Sequence, residues 1–95
     1  MTRPPRLDAG TIDQALASAR SPWERTGDTL VLERRFSSFP DAIAFVNAVA
    51  DQAEARNHHP DISIRYTEVR LELSTHDAGG LTQLDLDLAA AVAQL

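Results

Sequence analysis

Between Ser38 and Leu73 the spacing of apolar side chains changes period, and the change falls on Asn57-His58-His59-Pro60. Before it, SSFPDAIAFVNAVADQAEARN carries Ile43, Val46, Val49, Ala50 and Ala53 three or four residues apart, which is one face of a helix. After it, ISIRY sets Ile62, Ile64 and Tyr66 against Ser63 and Arg65, and VRLELST sets Val69, Leu71 and Leu73 against polar neighbours. That is the two-residue alternation of half-buried strands, with Thr67-Glu68 connecting them. Pro60 disfavours a helical residue before it, so His59 is extended and the helix ends by His58. A chain that passes directly from a helical stripe to two alternating strands must bury that stripe on a sheet.

The rest of the chain repeats this pattern. Ser38 is placed to cap the long helix, with Asp41 at its third position and Pro40 in the first turn, where no N–H is needed. Arg56 complements its C-terminal dipole and Asn57 is a suitable terminator. Upstream, Thr11 and Gln14 form a capping-box pattern ahead of a short helix that presents Ile12, Ala15, Leu16 and Ala19 on one face. Pro22 stops that helix. Gly27-Asp28 is a turn signal between strands at Trp23–Thr26 and Thr29–Phe36, with Leu30, Leu32 and Phe36 on one face and Val31, Glu33 and Arg35 on the other. HDAGG is a turn, and LTQLDLDLAAAVAQL is a final helix with Thr82 as N-cap and Asp85 at its third position. The expected fold is α+β, a single domain of order α-β-β-α-β-β-α. Its four-stranded antiparallel sheet has helices on one face, leaving the other face or an edge free to pair with a second subunit. Residues 1–10 are expected as a loose leader and 11–95 as the domain.

Composition narrows the function classes. At 95 residues with 43% hydrophobic and 24% charged side chains, the chain suits one small globular domain. Its net charge is −5, and its nine basic residues, all arginine, are scattered. A nucleic-acid partner needs a basic footprint, and none is visible. There is no cysteine, which excludes disulfides and thiolate chemistry. MTRPPRLDAG has no apolar core of a signal peptide, and no run approaches the length of a membrane span. A cytoplasmic location is the expectation.

The three histidines, His58, His59 and His76, fall within nineteen residues. His58 leaves the long helix, His59 is held extended by Pro60, and His76 follows the last strand. A helix C-terminus and a strand end can meet at one rim of a sheet covered by helices. Imidazoles there suit general acid–base work near neutral pH. Each histidine alone is also readable as a solvated loop residue. A metal site is the next alternative, but adjacent histidines seldom converge on one ion and no HExxH or HxH spacing occurs. A nucleophile is weaker still, without cysteine or a GxSxG turn. Asp85 is explained by capping, and Gly79 and Gly80 by turn geometry.

Glu54, then His58-His59-Pro60, Tyr66, His76 and Asp85, at these spacings, resemble the signature of the pterin-4a-carbinolamine dehydratases, also called 4a-hydroxytetrahydrobiopterin dehydratases. The similarity runs from Trp23 through FSSFPDAIAFVNAVADQAE to LSTHDAGGLTQLDLDLA. It implies a lyase that eliminates water from a 4a-hydroxytetrahydropterin to give the quinonoid dihydropterin, with neither metal nor other cofactor. It implies recycling of the pterin used by aromatic amino acid hydroxylases, and a homodimer or homotetramer formed by pairing sheet edges. By the same resemblance His58 and His76 protonate the departing hydroxyl, while His59 holds the pterin and assists loss of the N5 proton. Asn57 and Ser74-Thr75-His76-Asp77 contact the pterin, with Glu54, Pro60 and Asp85 in support. After HHPD many members carry tryptophan; this chain has Ile62, which implies a smaller, less aromatic pocket wall. The family also includes non-catalytic binding partners, among them a coactivator and assembly proteins of a carboxylase. The retained histidines point to the enzyme.

Overall fold

Leu71 pairs with Leu32 on one side and with Ile62 on the other, so the last strand in sequence is central in the sheet. The structure is a computed structural model that describes residues 4–95; residues 1–3 of the expected leader lie outside the described residues. The elements are α1 (Ala9–Ser18), β1 (Glu24–Thr26), β2 (Thr29–Arg35), α2 (Phe39–Arg56), β3 (Asp61–Arg65), β4 (Glu68–Leu73), a short 3-10 helix (His76–Ala78) and α3 (Gln83–Ala93). The sheet is antiparallel in the order β1-β2-β4-β3. This is the α-β-β-α-β-β-α order, with one four-stranded sheet.

Alternation along β2 and β4 sorts the two faces. Leu30, Leu32, Val69, Leu71 and Leu73 are buried with Val49, Ala53, Leu88 and Val92 of α2 and α3. The opposite face carries Glu33, Arg35, Glu68 and Arg70, joined across the strands as Arg35–Glu68 and Arg70–Glu33 pairs. Trp23, 2% exposed, lies just before β1 and donates its indole N–H to the Ala89 carbonyl at 3.0 Å. That bond satisfies the polar tip of the largest core side chain and pins α3 to the start of the first hairpin.

Three expectations change. α1 starts at Ala9, capped by Asp8, whose carboxylate accepts from Thr11 N–H at 2.7 Å; Thr11 is inside the helix instead of capping it. The reason lies upstream: Leu7 N–H donates to the Leu81 carbonyl at 2.8 Å and sets the chain's register before the helix begins. Arg6 reaches Asp28 at 2.8 Å. Second, α2 buries Ala42, Phe45, Val49 and Ala53, whereas Ala50 is exposed and Ile43 and Val46 are half-buried. Phe45 turns inward to Phe36, ring centroids 5.1 Å apart, and small Ala42 lets the helix approach closely. Third, β3 is exposed along its whole length, because it is the edge strand and no helix covers it. Tyr66 is not a strand residue: it occupies the two-residue turn between β3 and β4 at φ 55° and is 74% exposed.

Candidate active site

The end of α2 positions the first two histidines. Asn57 adopts the left-handed conformation (φ 49°, ψ 42°), which asparagine tolerates better than most residues. The His58 N–H then reaches back to the Ala53 carbonyl at 3.1 Å and the Asn57 N–H to that of Glu54 at 3.2 Å. This pair of bonds is a Schellman motif, which closes the helix and turns the chain sharply. His58 therefore points inward and is buried, and His59, ahead of Pro60, points outward.

His58 Nε2 lies 2.6 Å from Asp85 Oδ1. Asp85 is 0% exposed and sits at the third position of α3 in a capping box, its Oδ2 accepting from Thr82 N–H at 2.9 Å. The same oxygen accepts from the Thr75 hydroxyl at 2.7 Å. A carboxylate taken fully out of water requires such donors, and the α3 N-terminus adds a favourable dipole. His59 Nε2 lies 2.7 Å from Glu54 Oε2, and both groups face solvent. His76 is exposed at the start of the 3-10 helix. That loop is tied off by the Thr75–Gly80 bridge, with Thr75 N–H bonding the Gly80 carbonyl at 2.9 Å. Gly79 ends the 3-10 helix at φ 69°, a conformation that favours glycine.

These elements open onto one cleft of about 350 Å³. Asn57, His58, His59, Ser74, Thr75, His76 and Asp77 all line it. Pro4 and Leu84 complete its walls and were not anticipated, because apolar side chains carry no chemical signal of their own. Glu54, Pro60 and Asp85 do not line it; Asp85 and Glu54 meet it only through their bonds to His58 and His59. Thr82 was legible as a cap but not as part of the network behind His58, because its hydroxyl contact to Thr75 (2.8 Å) joins different elements. Thr75 lines the cleft, yet its hydroxyl is turned inward to Asp85 and Thr82. Ile62 and Tyr66 do not line the cleft of this chain. A larger groove of about 550 Å³ crosses the open sheet face near Glu33, Ser63 and Arg70. It holds no histidine; the Arg35–Glu68 and Arg70–Glu33 pairs cross it, and Arg34 and Arg65 add two further positive charges to its lining. No group of three or more metal-ligating side chains occurs among the described residues.

The family model for pterin 4 alpha carbinolamine dehydratase matches residues 5–95. The chain belongs to that family. A protein of Thermomicrobium roseum, provisionally named pterin-4-alpha-carbinolamine dehydratase, is 51% identical over 95% of this chain and 96% of its own. A Chloroflexus aurantiacus protein with the same provisional name is 52% identical over 96% and 97%. The crystal structure of a transcriptional coactivator/pterin dehydratase from Brucella melitensis superposes with a TM-score of 0.86, at 27% identity over 94% of this chain and 96% of that one. A pterin dehydratase-like protein identified as a RuBisCO assembly factor in the α-carboxysome shares the fold, with a TM-score of 0.62 at 24% identity over 78% and 86%. The three imidazoles of the cleft differ in their surroundings. One is buried against a carboxylate, one is exposed against a carboxylate, and one is exposed with no carboxylate bonded to it.

Proposed function

We propose that the protein is a hydro-lyase that dehydrates a 4a-hydroxytetrahydropterin, the 4a-hydroxytetrahydrobiopterin class of substrate, to the dihydropterin. The observation that carries this reading is the convergence of His58, His59 and His76 on one cleft, with Asp85 and Glu54 behind two of them. In the elimination the C4a–O bond breaks and the hydroxyl leaves as water after taking a proton from an imidazolium. The N5 proton passes to a neutral imidazole, and the N5–C4a double bond forms. His58 and His76 serve as the acids and His59, extended beside Pro60, as the acceptor at N5. Asn57 and the Ser74–Asp77 segment hold the pterin edge. The products restore the starting protonation after one proton exchange with water, and the step is redox-neutral.

The expected setting is the cytoplasm, in recycling of the pterin used by an aromatic amino acid hydroxylase. The assembly is a homodimer or homotetramer. The exposed β3 edge, with Ile62 38% and Ile64 36% exposed, supports that assembly. The test is to mix purified protein with freshly generated 4a-hydroxytetrahydropterin and follow dihydropterin formation. Acceleration over buffer that is lost in His59→Ala is expected; no acceleration sinks the reading. The same exposed edge favours a second reading, a non-catalytic binding partner. It predicts a stable complex with another protein that survives removal of all three histidines.

A further inference from the structure

Every hydrogen bond around the buried Asp85 carboxylate has a fixed direction. The Thr82 N–H donates to Oδ2, and so does the Thr75 hydroxyl. A carboxylate has no proton to give, so His58 Nε2, 2.6 Å from Oδ1, is also a donor. Thr75 has one hydroxyl proton, already given to Asp85. The 2.8 Å contact between the two threonine hydroxyls therefore runs from Thr82 to Thr75. Thr82 Oγ1 in turn accepts the Leu84 N–H at 3.2 Å. One polarity satisfies the whole chain, Thr82 to Thr75 to Asp85, with His58 donating from the other side.

That polarity decides which ring nitrogen is available. With the proton on Nε2, a neutral His58 keeps its lone pair on Nδ1. Among the described residues Nδ1 has no hydrogen-bond partner, and no fully buried side-chain nitrogen or oxygen lacks one. Nδ1 is therefore not sealed inside the protein, and the surface that His58 reaches is the cleft. The other titratable groups there are His59 with Glu54, His76 and Asp77. The His59–Glu54 pair is exposed on both sides, so water can replace either partner, and nothing comparable fixes its tautomer.

We propose that Thr82 and Thr75 are positioning residues that act through Asp85 to hold His58 as the Nε2–H tautomer, with Nδ1 as the nitrogen that exchanges a proton with the substrate. The proton-exchange role rests on the dehydratase reading; the tautomer assignment does not. Asp85→Asn tests the polarity. An amide has one acceptor oxygen, and both Thr82 N–H and Thr75 O–H need it. The amide NH2 must then face His58 Nε2, which becomes an acceptor, and the proton moves to Nδ1. With Nε2 accepting from the amide, His58 can no longer carry protons on both nitrogens, so the imidazolium that its acid role requires is lost, as the wrong tautomer disables a triad whose aspartate becomes asparagine.

The experiment is nitrogen-15 NMR of the imidazoles of the full chain at about pH 8, above the ordinary imidazole range. With three histidines, single substitutions at His59 and His76 assign the spectrum. Wild-type His58 is expected to show a protonated Nε2 and a bare Nδ1, and Asp85→Asn the reverse. A wild-type Nδ1–H overturns the proposal, even if Asp85→Asn does not fold. A retained Nε2–H in folded Asp85→Asn overturns the role of the two threonines. Thr75→Val is expected to lower kcat about tenfold, the loss of one hydrogen bond to a charged group, and Thr75→Ser to restore it. An unchanged kcat in Thr75→Val removes Thr75 from the proposal. A wild type with no dehydration at all sinks the functional reading, and the NMR spectrum still decides the tautomer.

Discussion

Glu54 and His59 face each other across the exit of α2, Oε2 to Nε2 at 2.7 Å, with side chains 75% and 56% exposed. The neighbouring pair, His58 with Asp85, has nearly the same separation, 2.6 Å, but side chains only 10% and 0% exposed. Geometry is shared and solvent is not, so the two pairs separate in energy. An exposed pair contributes up to about 1 kcal/mol, whereas removing one member of a buried pair costs about 3–5 kcal/mol. Glu54→Gln should leave urea stability within about 0.5 kcal/mol and slow dehydration less than tenfold. Asp85→Ala, which also leaves the Thr82 N–H and Thr75 hydroxyl without their acceptor, should lower stability by about 3 kcal/mol or more. Equal losses in the two variants would refute the contrast.

His76 separates activity from stability in the opposite sense. Its side chain is exposed and has no hydrogen-bond partner among the described residues. His76→Gln should therefore stay within about 0.5 kcal/mol of wild type in denaturant. Dehydration should nevertheless slow by about a hundredfold or more, the usual contribution of a general acid. Full activity in folded His76→Gln would remove it from the chemistry.

What the sequence made legible was mostly local. Ser38, Thr82 and Asp85 were readable as caps because a cap's partner lies two or three residues away. The strands of the sheet were readable because alternation survives in any environment that covers one face. Coverage itself is not encoded in alternation. Ile62 and Ile64 share a face with Leu71 and Val69, yet they stand exposed because the helices end before the edge strand. α1 illustrates a second limit: Asp8 and Thr11 both suit a cap, and the tie is broken by a backbone bond from Leu7 to Leu81 that no local pattern announces. The site shows the third. His58 and Asp85 are 27 residues apart, and their bond follows from where the end of α2 meets the start of α3. The histidine cluster suggested a shared rim; the wiring behind it required the fold.

Acid should loosen α1 through Asp13. Arg25 Nε and Nη2 bond its two carboxylate oxygens at 2.7 and 3.0 Å. The Arg25 hydrogen bond is the largest cause holding the Asp13 carboxyl below its ordinary 3.8, with the guanidinium charge assisting. Asp8 is lowered in the same direction, chiefly by the backbone N–H of Thr11. A carboxyl whose folded value is depressed binds its proton more weakly in the folded state. Its contribution is complete above the unfolded value of 3.8 and disappears as pH falls through the lower folded value. Asp13→Asn should therefore be less stable than wild type at about pH 6, with the gap closing below about pH 3.8. Urea titrations across that range read it directly, and a gap that persists in acid would place its origin elsewhere.

The uncovered edge makes the last prediction. β3 bonds β4 on one side, and among the described residues no strand lies on its other side. Ile62 and Ile64 present apolar surface along that same strand. An exposed, extended edge carrying apolar side chains invites pairing with another chain unless it is covered. A second copy paired there would continue the sheet and bury both isoleucines. Tyr66, held at φ 55° in the adjoining turn, would lie at the end of that seam. Light scattering across a micromolar range is expected to show a dimer or larger species for the wild type. Ile64→Glu should shift the population toward monomer, because two copies would place carboxylates in an apolar contact. The monomer should keep its helical circular dichroism, since Ile64 is outside the buried core. A wild type that stays monomeric throughout that range would refute the pairing, and an Ile64→Glu variant that dimerises as before would move the interface away from β3.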